Sequence, residues 1–184
     1  MIIDRALLLV KHQLATSQTR VTRELAQSLP PLILDEFKIE QVFVNLFTNA
    51  IHAIDGGGEI TVRSSATRLV GPGDDVGYRQ TDRYVPGERV VLVQVDDSGP
   101  GIPEQHAAKV FDPFFTTKPT GVGTGLGLSV CQQIVDMHGG SIEIANREVG
   151  GARVSIMFKL DQAESGNGKR GSCWWMTMSA SHGH

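Results

Sequence analysis

Apolar residues recur at helical spacing at Ile39, Val42, Phe43, Leu46, Ala50 and Ile54. This predicts a long helix that opens at Asp35, a side chain suited to capping it, and ends at Gly56, Gly57 and Gly58. Ahead of it, residues 4–15 carry the spacing of a short helix, residues 19–25 alternate like an edge strand, and Leu29, Pro30 and Pro31 break the chain. Residues 59–66 and 89–95 read as paired strands around a polar stretch, 71–87, expected to be a long mobile hairpin loop. A short helix over 103–110, a longer one over 126–137 stopped by Gly139 and Gly140, and a last hairpin over 141–145 and 152–160 complete the pattern. The fold predicted is α+β, a two-layer α/β sandwich with a mixed sheet and its helices on one face.

Residues 1–29 are expected to form the lead-in helix and edge strand of a domain whose body is 30–162. The remainder, 163–184, loses periodicity and reads as a disordered tail in which Trp174 and Trp175 would be exposed. A chain of 184 residues fits one such domain. Its net charge of −3 gives no footprint for nucleic acid and no basic patch for a membrane. The apolar run 2–10 is interrupted by Asp4 and Arg5 and is far shorter than the roughly 20 residues that span a bilayer. Cys131 and Cys173 lack ligand or CxxC spacing, so neither a zinc site nor a disulfide framework is predicted, and a cytoplasmic location is expected.

Chemistry concentrates in four blocks: NLFTNAIHAI at 45–54, DSGPGIP at 97–103, FDPFFTTK at 111–118 and GVGTGLGLS at 121–129. On the long helix Asn45, Asn49 and His52 stand at i, i+4 and i+7, which places them on one face beside the apolar stripe. The alternation of Val91, Val93 and Val95 carries Asp97 toward the core and Asp96 the other way, toward solvent. A carboxylate aimed inward must find donors. Gly121, Gly123, Gly125 and Gly127 alternate just before a helix, where backbone N–H groups can converge on phosphate oxygens. Phe111, Phe114 and Phe115 are apolar positions on a loop, consistent with core packing as well as with a site.

Together, in this order, the blocks resemble the N, G1, F and G2 boxes of the ATP-binding catalytic domain of sensor histidine kinases, within the gyrase, chaperone, histidine kinase and MutL superfamily. The resemblance covers roughly residues 30–160 and is nearest to kinases of the nitrogen-regulation and oxygen-sensing type. It implies a Bergerat-type ATP-binding fold with ATP and Mg2+ as cofactors. Asn49 resembles the magnesium-binding asparagine, whose carboxamide oxygen suits a hard cation that keeps waters and phosphate ligands. Asn45 resembles its catalytic partner, at the place where gyrase-like ATPases carry a glutamate base, and His52 stands where many relatives have a phosphate-contacting lysine. Asp97 resembles the aspartate that accepts the adenine amino group, with Gly99, Gly101 and Ile102 in the turn beside it. Phe111, Thr117 and Lys118 would belong to a lid over 111–123, Lys118 as a charge partner of the phosphates. Gly121, Gly123, Thr124, Gly125, Leu126 and Gly127 would close the nucleotide site.

The function this implies is donation of the ATP γ-phosphoryl group to a histidine on a separate dimerisation domain, with a response regulator downstream. No His-Glu or His-Asp acceptor motif precedes the first block, and His12 lacks an acidic neighbour. His106 and His138 are expected to be solvated or capping, and His182 and His184 fall in the tail. Two alternatives stand beside this reading. One is a superfamily ATPase whose cycle drives conformational change; an amide at 45 cannot take a proton from water at neutral pH, which argues against it. The other is a regulatory module that binds nucleotide without catalysis.

Overall fold

The computed structural model describes residues 2–54, 56–69, 87–117 and 123–160. The element order is α1 (Ile2–Leu9), α2 (Lys11–Thr16), β1 (Thr19–Leu25), α3 (Glu36–Ala53), β2 (Gly58–Arg68), β3 (Arg89–Asp97), α4 (Glu104–Ala107), α5 (Gly127–Met137), β4 (Gly140–Asn146) and β5 (Ala152–Lys159). The strands form one five-stranded sheet in the order β1-β2-β3-β5-β4. β1 lies parallel to β2 at one edge, and every other pairing is antiparallel, so the sheet is mixed. The expected long hairpin loop lies almost wholly outside the described residues, as does the tail.

α3 is the central helix, and its sequence explains both ends. The Asp35 carboxylate accepts the Lys38 N–H at 3.1 Å, satisfying a donor that the first helical turn leaves without an intrahelical partner. Every apolar position of its predicted stripe is buried, and that stripe packs with Val91, Val93 and Val95 of β3 and Val154, Ile156 and Phe158 of β5 in one core. α1 joins the same core through Ile2, Ile3 and Ala6. A one-residue break at Val10, with φ −96° and ψ 6°, divides the helix expected over 4–15 into two. Val10 remains in the core, and α2, which has no fully buried residue, packs against that core through the partly buried Leu14.

His138, at the end of α5, ties the two long helices together: its Nε2 accepts the Asp35 N–H at 3.0 Å and its Nδ1 donates to the Ile134 carbonyl at 2.7 Å. The pattern requires the neutral ring with its proton on Nδ1. His12 sits exposed on α2 beside Thr16.

Candidate functional site

A cavity of about 520 Å³ lies between α3, the cavity-facing ends of β3, β4 and β5, the turn after β3, and the N-terminus of α5. Asn45, Asn49 and His52 all line it, as the helical spacing predicts. Asp97, Gly101 and Ile102 line it from the end of β3 and the turn after it, Thr117, Gly123, Thr124 and Gly125 from the segment before α5, and Gly127 from the first residue of α5. Lys118 and Gly121 lie outside the described residues.

Three residues expected at the site do not line the cavity. Phe111 packs against the main core. Leu126 sits at the N-cap of α5, where its carbonyl accepts the Ser129 hydroxyl at 3.0 Å. Gly99 backs the turn instead: a Cβ there would stand 2.9 Å from the Ala53 carbonyl, so the turn lies directly against the last turn of α3.

Asp97 marks one end of the cavity. Its carboxylate is buried, and Oδ1 accepts the Gly99 N–H at 2.9 Å and the Ala152 N–H at 3.2 Å. Around it the lining is apolar, from Val95, Ile144, Ala152 and Val154. The β-register puts Val95 opposite Val154 and Ile144 opposite Val154, which makes a floor across three strands. A flat apolar ring bearing a single outward donor matches that surface.

The opposite end is polar. Asn45 Nδ2 reaches the Gly127 carbonyl at 3.5 Å, which sets the N-terminus of α5 against the two asparagines. Asn45 and Ala53 are separated by about 12 Å along α3 at 1.5 Å per residue, so the cavity has the length for a base at one end and phosphates at the other. Cys131 lies next to Asn45 in α5, and burial pushes its thiol up to about 12, so it stays protonated and unreactive.

The segment between α4 and α5 is closed at its base by a backbone contact. Phe114 donates its N–H to the Gly125 carbonyl at 2.9 Å. Gly125 has φ +66°, and a Cβ there would lie 2.3 Å from the Phe114 carbonyl carbon, so only glycine fits. Phe114 itself has φ +67° and is largely exposed, a costly backbone state for an aromatic residue.

Comparison with known proteins settles the family. Residues 34–162 match the sequence model of the histidine kinase-, DNA gyrase B- and HSP90-like ATPases. The chain belongs to this ATPase family. Among relatives, it is 35% identical over 159 residues to sensor histidine kinase ZraS of Salmonella typhi, covering 86% of this chain and 30% of that protein. It is 42% identical over 124 residues to sensor kinase CckA of Brucella abortus, covering 67% of this chain and 12% of that one. The chain thus spans less than a third of each of these sensor kinases. Among solved structures, the catalytic domain of histidine kinase ThkA is 33% identical with a TM-score of 0.64, covering 86% of this chain and 91% of that one. A complex of ThkA with response regulator protein TrrA also matches, at 29% identity and a TM-score of 0.63, over 89% of this chain and 40% of that one. The α+β fold and the ATP-binding family are therefore those the four blocks implied.

Asp96 departs from expectation. It does face away from Asp97, but its side chain is fully buried rather than solvated. Arg63 of β2, Arg153 of β5 and Arg147 of the β4–β5 turn enclose it, with Arg153 bonding both carboxylate oxygens at 2.7 and 2.8 Å. Alternation along one strand cannot reveal this, because the arginines come from neighbouring strands. Burial alone would push Asp96 up, but the Arg153 hydrogen bonds and the charges of Arg153, Arg147 and Arg63 outweigh it and hold the carboxyl below its ordinary value. A depressed folded value gives stability that is present above the unfolded value, ~3.9, and lost as pH falls through the folded one. The urea midpoint should therefore drop steeply below about pH 4, and Asp96→Asn should flatten that drop. An identical acid profile in the variant would remove Asp96 from the explanation.

Two further features escaped the sequence reading. His106, half-buried on α4, lines the cavity with its ring 5.4 Å from that of Phe115, instead of facing solvent. Asn146 holds the turn after β3 from the other side, accepting the Ile102 N–H at 2.7 Å and donating to the Ile102 carbonyl at 2.8 Å. Neither carries a spacing signal.

Proposed function

We propose that this domain holds magnesium ATP in the cavity and presents its γ-phosphoryl group to a histidine on a separate dimerisation domain of a sensor kinase. The observation that carries this is the polarity of the cavity, with a buried carboxylate over an apolar floor at one end and two asparagines beside a glycine-rich helix start at the other. Asp97 would accept the amino group of adenine through the oxygen its backbone donors leave available, and would repel the carbonyl that guanine presents there. Asn49 would supply the protein's ligand to magnesium. The donor fits that ion: the Asn49 carboxamide oxygen is a hard ligand on the cavity lining, and magnesium prefers few protein ligands with waters and phosphates completing its shell. When bound, the ion would supply charge neutralisation on the phosphates.

Asn45 would orient the phosphates rather than activate water, because a carboxamide has no proton affinity to serve as a base at neutral pH. His52, exposed at the cavity edge, and Lys118 would be the cationic or hydrogen-bonding partners of the phosphate chain, and Thr117, Thr124, Gly121, Gly123, Gly125 and Gly127 its polar surround. The Phe114–Gly125 contact would be the fixed base of the lid. Transfer then depends on positioning the acceptor, and an in-line approach can supply much of the rate. A response regulator downstream is part of the proposal, supported by the ThkA–TrrA complex, as are the nitrogen-regulation and oxygen-sensing subtype and a cytoplasmic location. No helix among the described residues is long and apolar enough to cross a membrane.

Calorimetry with ATP and GTP, with and without magnesium, tests the reading. ATP should bind much more tightly than GTP, and Asn49→Ala should abolish the gain in affinity that magnesium gives while leaving the fold intact. Equal affinity for the two nucleotides, or a magnesium response unchanged in Asn49→Ala, would contradict the assignments.

A further inference from the structure

The β4–β5 turn, residues 147–151, reaches the adenine end of the cavity without contributing a side chain to it. Its ties converge on one short segment. Asn146, at the end of β4, clasps both main-chain groups of Ile102. The Ala152 N–H, at the start of β5, goes to Oδ1 of Asp97. Beyond the last pair of the β3–β5 ladder, Asp96 opposite Arg153, the main-chain oxygen of Asp97 is met by Arg147 Nη1 at 2.8 Å. The arginine thus binds the Asp97 carbonyl, and the neighbouring amide remains to hold the Asp97 carboxylate.

Arg147 is in turn anchored. Its Nε lies 3.4 Å from the fully buried Asp96, an ion pair rather than a hydrogen bond, while Arg153 and Arg63 hydrogen-bond the same carboxylate. Since Asp96 and Asp97 face opposite sides of β3, a charge cluster on one side of the sheet fixes the backbone from which the carboxylate on the other side projects.

We propose that Arg147 is the positioning residue for base recognition: through the Asp97 main chain it sets the direction of the Asp97 carboxylate, and Asn146 sets the height of the turn beside it. This rests on the nucleotide reading above. Removing the guanidinium leaves the Asp97 carbonyl without that donor and frees the strand end to shift, so discrimination between bases should suffer more than binding of the triphosphate.

The test compares ATP with inosine triphosphate, which carries a carbonyl and an adjacent N1–H in place of the adenine amino group and N1 acceptor, using calorimetry on the whole chain. Arg147→Met, which keeps the aliphatic length, should weaken ATP by about tenfold, the loss of one hydrogen bond's alignment, and leave inosine triphosphate nearly unchanged. Arg147→Lys should recover part of the selectivity. In an Asp97→Asn background Arg147→Met should cost nothing further, because its effect runs through that carboxylate. If ATP and inosine triphosphate weaken by the same factor, or selectivity survives in a folded Arg147→Met chain, the positioning role is wrong. Should Arg147→Met not fold, Asn146→Ala carries the test, with a selectivity loss expected and unaltered selectivity against it. A wild-type chain that binds neither nucleotide would instead overturn the nucleotide reading itself.

Discussion

Asp97→Asn should lower ATP affinity by more than tenfold, the equivalent of ~1.5 to 3 kcal/mol for a hydrogen bond to a charged group. The fold should survive. An asparagine can still turn its oxygen to the Gly99 and Ala152 amides that Oδ1 accepts at 2.9 and 3.2 Å. It must then present its NH2 hydrogens to the cavity, where the adenine amino group also brings hydrogens. Donor meets donor, and the apolar floor of Val95, Ile144 and Val154 offers neither group another partner. Calorimetry and a urea melt on the same protein check this. Wild-type affinity in the variant would move the base away from Asp97, and a large loss of stability would make the carboxylate structural.

The second large effect is on stability. Asp96→Ala should destabilise the domain by about 3 kcal/mol, the lower end of the range for removing one partner of a buried ion pair. The lower end applies because Arg63 and Arg153 keep 33% side-chain exposure and Arg147 22%, so water can recover part of their solvation, whereas Asp96 itself has none. Equilibrium urea unfolding measures the change. A shift within about 0.5 kcal/mol, typical of an exposed surface site, would show that the guanidiniums are hydrated and that the cluster does not brace the sheet.

The architecture was legible where one local signal sufficed. The stripe from Ile39 to Ile54 gave α3 its buried face and hence the inward tilt of Asn45 and Asn49. The alternation through Val91, Val93 and Val95 placed Asp97 on the core side. What could not be read depends on residues brought together from different strands. Asp96 looked like a solvated strand-end carboxylate, and only the sheet order shows that Arg63 and Arg153 flank it from β2 and β5. Asn146 ends β4 and Arg147 opens the turn after it, 44 and 50 residues from the groups they hold. The break at Val10 was equally invisible, because the apolar spacing continues through it while the backbone does not. Phe111 could serve core or site on sequence grounds; its packing into the core follows from tertiary contact alone.

One experiment tests directly the proposed donation of the γ-phosphoryl group to a histidine. The purified chain is mixed with γ-labelled ATP and a helical-hairpin dimer bearing an acceptor histidine from the same kinase, and label is followed on each polypeptide. Acid-labile, base-stable phosphohistidine is expected on the hairpin, none on the chain alone, and slow release of free phosphate, since position 45 is an amide and His12, exposed on α2, is not among the cavity-lining residues. Robust labelling of the isolated chain, or rapid ATP turnover with no label on the hairpin, would contradict it.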